Sequence, residues 1–260
     1  MPTLQLARAE GILTVTMDRP ERRNAINAEM WDELEDVART AAHDGEVRCV
    51  VLTGAGGAFC SGADLGGGVG AGEAARPHQL AQMRRINAVV QAWHELPQPT
   101  IAKVTGVAAG VGFSFALGCD LVVATPEARF SAIFAKRGLS LDGGLSWLLP
   151  RAIGSHRAKE LALFAELIPA DRALELGIVN RVVPADEIDA LVDEWAARLA
   201  GGPPIALAMT KRLLDRSFEQ SFEQALDDEA RTQTVNFGTA DTVEAITAFL
   251  QKRDPRFRGA

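Results

Sequence analysis

Two continuously apolar segments of the chain each end in a glycine-rich stretch, and this pairing limits the possible folds more than any other feature. VRCVVLTG (47–54) and TIAKVTG (100–106) are typical of strands that are covered on both faces of a sheet. The first continues into TGAGGAFCSGADL (53–65) and the second into GVAAGVG (106–112). Such loops let a ligand approach the main chain, and the second also opens a predicted helix, where unpaired N–H groups face outward. We therefore expect backbone N–H groups from both loops to converge on one oxygen atom that gains negative charge, such as a thioester carbonyl becoming enolate-like.

Other interpretations of the two loops are weaker. Each loop alone could be a tight turn that needs glycine for packing. A dinucleotide-binding fingerprint would need glycine at the position of Phe59, and it normally lies in an N-terminal βαβ unit. A short-chain dehydrogenase would need a catalytic tyrosine, and the sequence contains no tyrosine. Nicotinamide binding is therefore not expected.

The order of the other elements predicts an α/β fold with a helical C-terminal region. A hairpin is expected over 3–8 and 11–17, and Asn27 is placed to cap the following helix. Strand, loop, helix and strand then recur, which indicates stacked ββα units rather than one sheet. We predict a core over 1–200 and a helical region over 201–260, whose amphipathic helices make oligomer contacts. Predicted helices of the last third are 170–176, 187–200, 205–214, 218–236 and 239–252.

Composition narrows the classes of function. No run approaches the roughly 18 to 20 apolar residues of a membrane-spanning helix, and the N-terminus lacks a signal pattern, so a cytoplasmic location without a membrane partner is expected. The formal net charge of −7 argues against a nucleic-acid partner. The three cysteines and four histidines lack the spacing of a metal site, so no metal is expected.

Five segments, in order and spacing, resemble the signature blocks of the enoyl-CoA hydratase/isomerase (crotonase) superfamily. They are DRPERRNAIN, AFCSGADL, GVAAGVGFSFALGCDLVVAT, GLSLDGGLSWLLPRAIG and FLQKRDPRFRG, and they extend over essentially the whole chain. The resemblance implies a crotonase-like spiral of ββα units with a C-terminal helical trimerisation region, assembled as a homotrimer or hexamer. It also implies an acyl-CoA thioester substrate and no separate cofactor, because CoA is part of the substrate.

The resemblance also implies roles for individual residues. The backbone N–H groups of Ala63 and Val111 match the two donors of the family's oxyanion hole. The family usually has glycine at the second position, and the β-branched Val111 adds bulk there. Two basic segments, RRN (22–24) and QKRDPRFR (251–258), suit CoA phosphates or are ordinary solvated surface. The residues expected to contact the CoA thioester are Arg23, Ala25, Gly62, Asp64, Leu65, Gly110, Phe134 and Lys252.

The acid/base positions depart from the hydratase pattern. Hydratases of the family carry two glutamates, at positions that correspond to Ser114 and Phe134, and neither residue can act as a carboxylate base. Asp142, in GLSLDGG, matches a third position, where dienoyl-CoA isomerases, isomerases of the phenylacetate pathway and aromatic acyl-CoA dehalogenases carry aspartate. An apolar wall of Phe134, Leu141 and Trp147 is expected to raise the proton affinity of this carboxylate by desolvation. The other interpretation of Asp142 is an N-cap of the helix predicted over 144–150.

Together these residues predict an isomerase that stabilises a thioester enolate and moves a proton with Asp142. Three alternatives remain open. The first is a hydratase that adds water with Asp142 alone, and the second is an acyl-CoA-binding protein that has lost catalysis. The third is a dehalogenase-like enzyme in which Asp142 is the nucleophile. Residues 66–75 are expected to be mobile and to set the size of the acyl group.

Overall fold

The computed structural model describes residues 2–67 and 78–260. Within these ranges the strands form a six-stranded sheet and a three-stranded sheet. The strands are β1 Leu4–Ala9, β2 Ile12–Met17, β3 Cys49–Gly54, β4 Thr100–Val104, β5 Val107–Ala109, β6 Leu121–Ala124, β7 Arg129–Ser131, β8 Ile168–Pro169 and β9 Arg181–Val182.

The helices surround the sheets and then form the C-terminal part of the chain. None of the described helices is long and apolar enough to cross a membrane. Short 3-10 helices lie at Pro20–Arg22, Leu65–Gly67 and Ile133–Arg137. The α-helices are α1 Ala28–Ala41, α2 Gln79–His94, α3 Val111–Gly118, α4 Leu145–Ile153, α5 Ser155–Phe164, α6 Ala170–Leu176, α7 Ile188–Ala200, α8 Pro204–Asp215, α9 Phe222–Phe237 and α10 Ala240–Gln251.

The larger sheet has the strand order β1-β2-β3-β4-β6-β9. β1 and β2 form the predicted antiparallel hairpin, and every other neighbouring pair in this sheet is parallel. Parallel strands bring their carboxyl ends to one edge, so both glycine-rich loops leave the sheet at the same edge. The smaller sheet, β5-β7-β8, continues from there.

The apolar run of β3 is explained by cover on both of its faces. Val50 and Leu52 lie in the main core cluster, whereas Val51 packs with Ile188 and Val192 of α7 in a second cluster. Both faces of the strand are therefore removed from water, as its uninterrupted apolar sequence predicts.

The expected α/β architecture with a helical C-terminal part is confirmed. Asn27 caps α1 as predicted, because its Oδ1 accepts the N–H of Met30 at 2.9 Å. Helix α5 was not predicted, because Ala158 is its one buried residue and its amphipathic pattern is weak. Strands β7 to β9, of two or three residues, are too short to show a period-two pattern. The division at residue 200 stays a prediction, as does the role of residues 66–75, most of which lie outside the described residues.

Candidate active site

The main chains of the two glycine-rich loops lie against each other. Cys60 and Ala108 form a parallel bridge, in which the N–H of Ala109 donates to the carbonyl of Cys60 at 2.9 Å. A methyl group added at Gly62 would lie 3.1 Å from the carbonyl oxygen of Ala109 and 3.9 Å from the Cα of Gly110. The structure thus brings the two loops together at the edge where β3 and β4 end.

Each loop presents an N–H group that has no partner within residues 2–67 and 78–260. Ala63 is bridged to Ile26, with the N–H of Ile26 on the carbonyl of Gly62 and the N–H of Asp64 on the carbonyl of Ile26, both at 2.9 Å. In this arrangement the N–H of Ala63 itself points away from Ile26. Val111 begins α3, where N–H groups have no partner within the helix. Among the described residues, neither N–H donates a hydrogen bond, so both are available to an oxyanion.

Two glycines allow the first turn of α3 to lie so close to the first loop. Gly110 caps α3 with φ 56° and ψ −129°, a backbone conformation that side chains disfavour. A methyl group added at Gly112 would lie 2.3 Å from the carbonyl oxygen of Cys60. The buried Val111 side chain is directed toward the loop before α4, because a methyl group added at Gly143 would lie 2.9 Å from Val111 Cγ2. The bulk of Val111 therefore packs against that loop.

Asp142 lies in the loop that Val111 contacts. Its side chain is half-buried, and Oδ1 is buried without a hydrogen-bond partner among the described residues. Burial raises the pKa of this carboxyl above its usual value. The N-cap interpretation of Asp142 is wrong: Gly144 occupies the N-cap of α4 in a left-handed conformation, and no side chain caps the helix. Asp142 meets α4 only through its carbonyl, which accepts the N–H of Leu145 at 3.1 Å.

The side chains of Ser114 and Phe134 are buried and pack beside the two loops. Ser114 is 1% exposed, and its hydroxyl can donate to the carbonyl of Asp142 at 3.3 Å or to that of Gly110 at 3.5 Å. Ser114 thus packs between the Asp142 loop and α3. Phe134 is buried, and its Cζ would lie 3.9 Å from a methyl group added at Gly110. An aromatic edge therefore lines the second loop where a hydratase has a carboxylate.

The first loop is joined to residues 19–26 by an ion pair that sequence reasoning missed. Arg19 Nη2 lies 2.9 Å from Asp64 Oδ2, and Arg19 Nη1 donates to the carbonyl of Ala25. The guanidinium beside Asp64 lowers the pKa of that carboxyl. Leu65, which begins the following 3-10 helix, is half exposed. The pair joins residues 45 positions apart, and no local pattern in the sequence marks it.

The two basic positions that were predicted to contact CoA lie in different places. Arg23 is exposed, and its carbonyl accepts the N–H of Ser61 at 3.0 Å, which places its segment beside the first loop. Lys252 is exposed after α10. No hydrogen bond or ion pair in the described part of the chain links its side chain to either loop. The contacts of both residues with CoA stay predictions.

Two cavities lie away from the two loops. Two adjoining cavities, of about 560 and 480 Å³, share His94, Trp147, Lys211 and Asp215 and lie between the end of α2, α4 and α8. Neither is lined by Ala63, Val111 or Asp142. In residues 2–67 and 78–260, no three His, Cys, Asp or Glu side chains are grouped to hold a metal ion.

Known proteins resemble this chain in sequence over nearly its whole length. The sequence pattern of the enoyl-CoA hydratase/isomerase family matches residues 7–260. A protein of Rhodobacter capsulatus named probable enoyl-CoA hydratase is 39% identical over 257 residues, covering 99% of this chain and 98% of its own. The 1,2-epoxyphenylacetyl-CoA isomerase of Escherichia coli is 37% identical over 251 residues, covering 96% of each chain.

The fold comparison agrees with these sequence matches. The crystal structure of enoyl-CoA hydratase from Mycobacterium smegmatis superposes with a TM-score of 0.90 at 34% identity, covering 99% of each chain. The resemblance of the five signature blocks is thereby confirmed, as is the crotonase fold. From its adjoining glycine loops, its sheet order and these matches, we conclude that the chain belongs to the enoyl-CoA hydratase/isomerase family.

Proposed function

We propose that this member of the family is an enoyl-CoA isomerase, which moves a double bond along the acyl chain of a CoA thioester. The observation that carries the proposal is Asp142 Oδ1, a buried carboxyl oxygen without a partner among the described residues. Ser114 and Phe134 hold no carboxyl at the two positions where hydratases of the family use glutamate. One carboxyl can carry a proton from one carbon to another, which is what double-bond migration requires.

In the proposed reaction, the thioester oxygen accepts hydrogen bonds from the N–H groups of Ala63 and Val111. The Asp142 carboxylate removes a proton from the acyl chain, and the electron pair of the broken C–H bond moves into the enolate. Asp142 then returns the proton to a carbon two positions away, so that no atom is gained or lost. Each backbone donor contributes about 3–4 kcal/mol to stabilisation of the enolate, as oxyanion-hole donors do elsewhere.

The surroundings of Asp142 favour proton transfer over addition of water. Burial raises the pKa of Asp142 toward neutral pH, and a group with such a pKa can both accept and return a proton. The buried ring of Phe134 presents no group that could hold an attacking water beside the second loop.

The relatives support both an isomerase and the hydratase alternative. The 1,2-epoxyphenylacetyl-CoA isomerase supports rearrangement chemistry, and the Rhodobacter protein bears a hydratase name. We also propose that the enzyme needs no cofactor beyond the CoA of its substrate, acts in the cytoplasm, and assembles as a homotrimer or hexamer. The apolar side chains that α9 and α10 leave exposed support the assembly.

The proposal is tested with 3-enoyl-CoA and 2-enoyl-CoA in deuterated water, following product mass and double-bond position. Wild type should move the double bond at a measurable rate, and deuterium should enter the product to the extent that the proton on Asp142 exchanges with solvent before it is returned. Asp142→Asn should lower that rate by about 10² to 10⁴, the range for loss of a general acid/base, and still bind the thioester. Asp186→Asn, in an exposed loop, is the matched control and should react like wild type.

Other outcomes identify the alternatives. A gain of the mass of water would show a hydratase. Binding without change in any sample would show an acyl-CoA-binding protein. A mass increase on the Asp142 peptide would show a covalent intermediate and dehalogenase-like chemistry.

A further inference from the structure

Arg19 joins three segments of the chain next to Ala63. Its Nη2 lies 2.9 Å from Asp64 Oδ2, and its Nη1 donates to the carbonyl of Ala25. The side chains of Arg19 and Asp64 are only 16% and 18% exposed. The backbone N–H of Arg19 in turn donates to Asn24 Oδ1 at 2.9 Å. Both ends of Arg19 are therefore held by the protein.

Asn24 anchors this arrangement to the first glycine-rich loop. Its side chain is fully buried, and its Nδ2 donates to the carbonyls of Ala55 and Ala58, each at 2.9 Å. The start of the loop is thus bound by Asn24, and its end is bound by Arg19 through Asp64. The segment in between contains Cys60, which makes the bridge to the second loop.

Ala63 lies between two peptide groups that are both fixed. On one side, the carbonyl of Gly62 accepts the N–H of Ile26; on the other, the N–H of Asp64 donates to Ile26. The carboxylate of Asp64 then fixes the next turn, since its Oδ1 accepts the N–H of Gly66 at 3.0 Å. The N–H of Ala63 shares its peptide group with the carbonyl of Gly62, so rotation of that peptide would break the hydrogen bond from Ile26. Asp64 holds the next peptide group, and Arg19 holds Asp64.

We infer that Arg19 and Asp64 are positioning residues whose ion pair aims the N–H of Ala63 at the bound thioester oxygen. The inference rests on the proposed oxyanion hole, and neither side chain needs to touch the substrate. The pair is largely buried, so removing one partner leaves an unpaired charge and also lowers global stability. Its specific effect is on rate, because misplacing a catalytic group by about 1 Å can cost roughly a hundredfold in rate.

The test compares Arg19→Met with the loss of a more exposed ion pair remote from the site. Arg8 Nη1 lies 2.5 Å from Asp44 Oδ2, and this pair also joins distant segments of the chain. The thioester carbonyl of 1-¹³C-butyryl-CoA, bound to each variant, is followed by its ¹³C chemical shift, which moves when hydrogen bonds polarise the carbonyl. Turnover gives kcat and KM for 3-enoyl-CoA on the same samples.

Wild type should show a shift on binding. Arg19→Met should lose at least half of it and lower kcat about tenfold, with KM within about twofold, because a donor is misplaced while CoA contacts remain. Arg19→Lys, which restores a cation, should recover part of both. Arg8→Met should match wild type.

Two results would overturn the inference: a full wild-type shift in Arg19→Met, or a rise in KM alone. Asp64→Asn gives a second test if Arg19→Met does not fold, and it should also reduce the shift. Asp142→Asn separates the inference from the proposed function, because it should keep the shift while losing turnover. A missing shift in wild type would remove the oxyanion hole and the inference together. Normal turnover in Asp142→Asn would remove only the proton-transfer role.

Discussion

The loops around Ala63 and the helices after residue 203 differ in which groups they leave without partners: polar groups in the loops, apolar groups in the helices. The loops bury Phe59, Cys60 and Val111 and leave polar groups unpaired: the N–H groups of Ala63 and Val111 and the Oδ1 of Asp142 have no partner among the described residues. Helices α8 and α9 bury no residue completely.

The C-terminal helices satisfy their polar groups locally. Ser221 and Gln224 form a capping box at the start of α9, and Arg253 pairs with Glu244 at 2.6 Å. Their apolar groups are the ones left without partners, since Phe222 and Phe249 are 80% and 81% exposed. Unpaired polar groups in a buried site call for a ligand, whereas exposed apolar groups call for another protein surface. The difference therefore supports the proposal that the loops carry the chemistry and the C-terminal helices carry the assembly.

The largest expected effect comes from adding a methyl group where the two loops are in contact. Gly112→Ala places a methyl group 2.3 Å from the carbonyl oxygen of Cys60, so the loops must separate. We expect kcat to fall at least a hundredfold and the free energy of unfolding to fall by about 1–3 kcal/mol, as for overpacked sites. Gly45→Ala is the matched control, because nothing lies within 4 Å of its added methyl group. Steady-state turnover and urea unfolding check both. Equal turnover in Gly112→Ala and wild type would contradict the arrangement of the loops.

The next effect tests the assembly region. Phe249→Asp puts a charge on an exposed apolar position of α10, and burying it in a subunit contact would cost several kcal/mol. We expect the oligomer to dissociate, as measured by light scattering or analytical ultracentrifugation at micromolar concentration. Leu6→Asp, at a residue of β1 that is 54% exposed, should leave the mass unchanged. An unchanged mass for Phe249→Asp would show that α10 faces solvent.

The smallest expected effect concerns protein stability, which the half-buried Asp142 carboxylate lowers. The pKa of Asp142 is raised in the folded protein, so folding disfavours the ionised form, and Asp142 destabilises the protein at neutral pH. Asp142→Asn cannot ionise, so we expect a higher Tm for the variant than for wild type at pH 7. The difference should disappear below about pH 4, where the unfolded carboxyl is also protonated. A scan of Tm against pH checks this, and a lower Tm for the variant at pH 7 would contradict it.

Sequence alone could predict the parts of this molecule that depend on local pattern. The buried strands β3 and β4 and the glycine loops after them follow from apolar runs that end in glycine. Resemblance drew attention to Asp142, but only the structure excluded its capping role, because that depends on the left-handed conformation of Gly144. The Arg19–Asp64 pair spans 45 positions, and burial of Asn24 depends on carbonyls more than 30 positions away. Contacts of that range leave no periodic signal in one sequence.

Cys60, which forms the bridge between the two loops, can also report when the loops separate. Burial raises the pKa of this thiol to about 12, so only about one molecule in ten thousand would carry the reactive thiolate at pH 8. An alkylating reagent can therefore modify Cys60 at an appreciable rate only when the loops separate and water reaches the sulfur. The labelling rate, measured by the mass of the Cys60 peptide, therefore reports how often the two loops open. A thioester that bridges the loops would lower the labelling rate, and the size of the decrease would measure how strongly the bound ligand stabilises the closed loops.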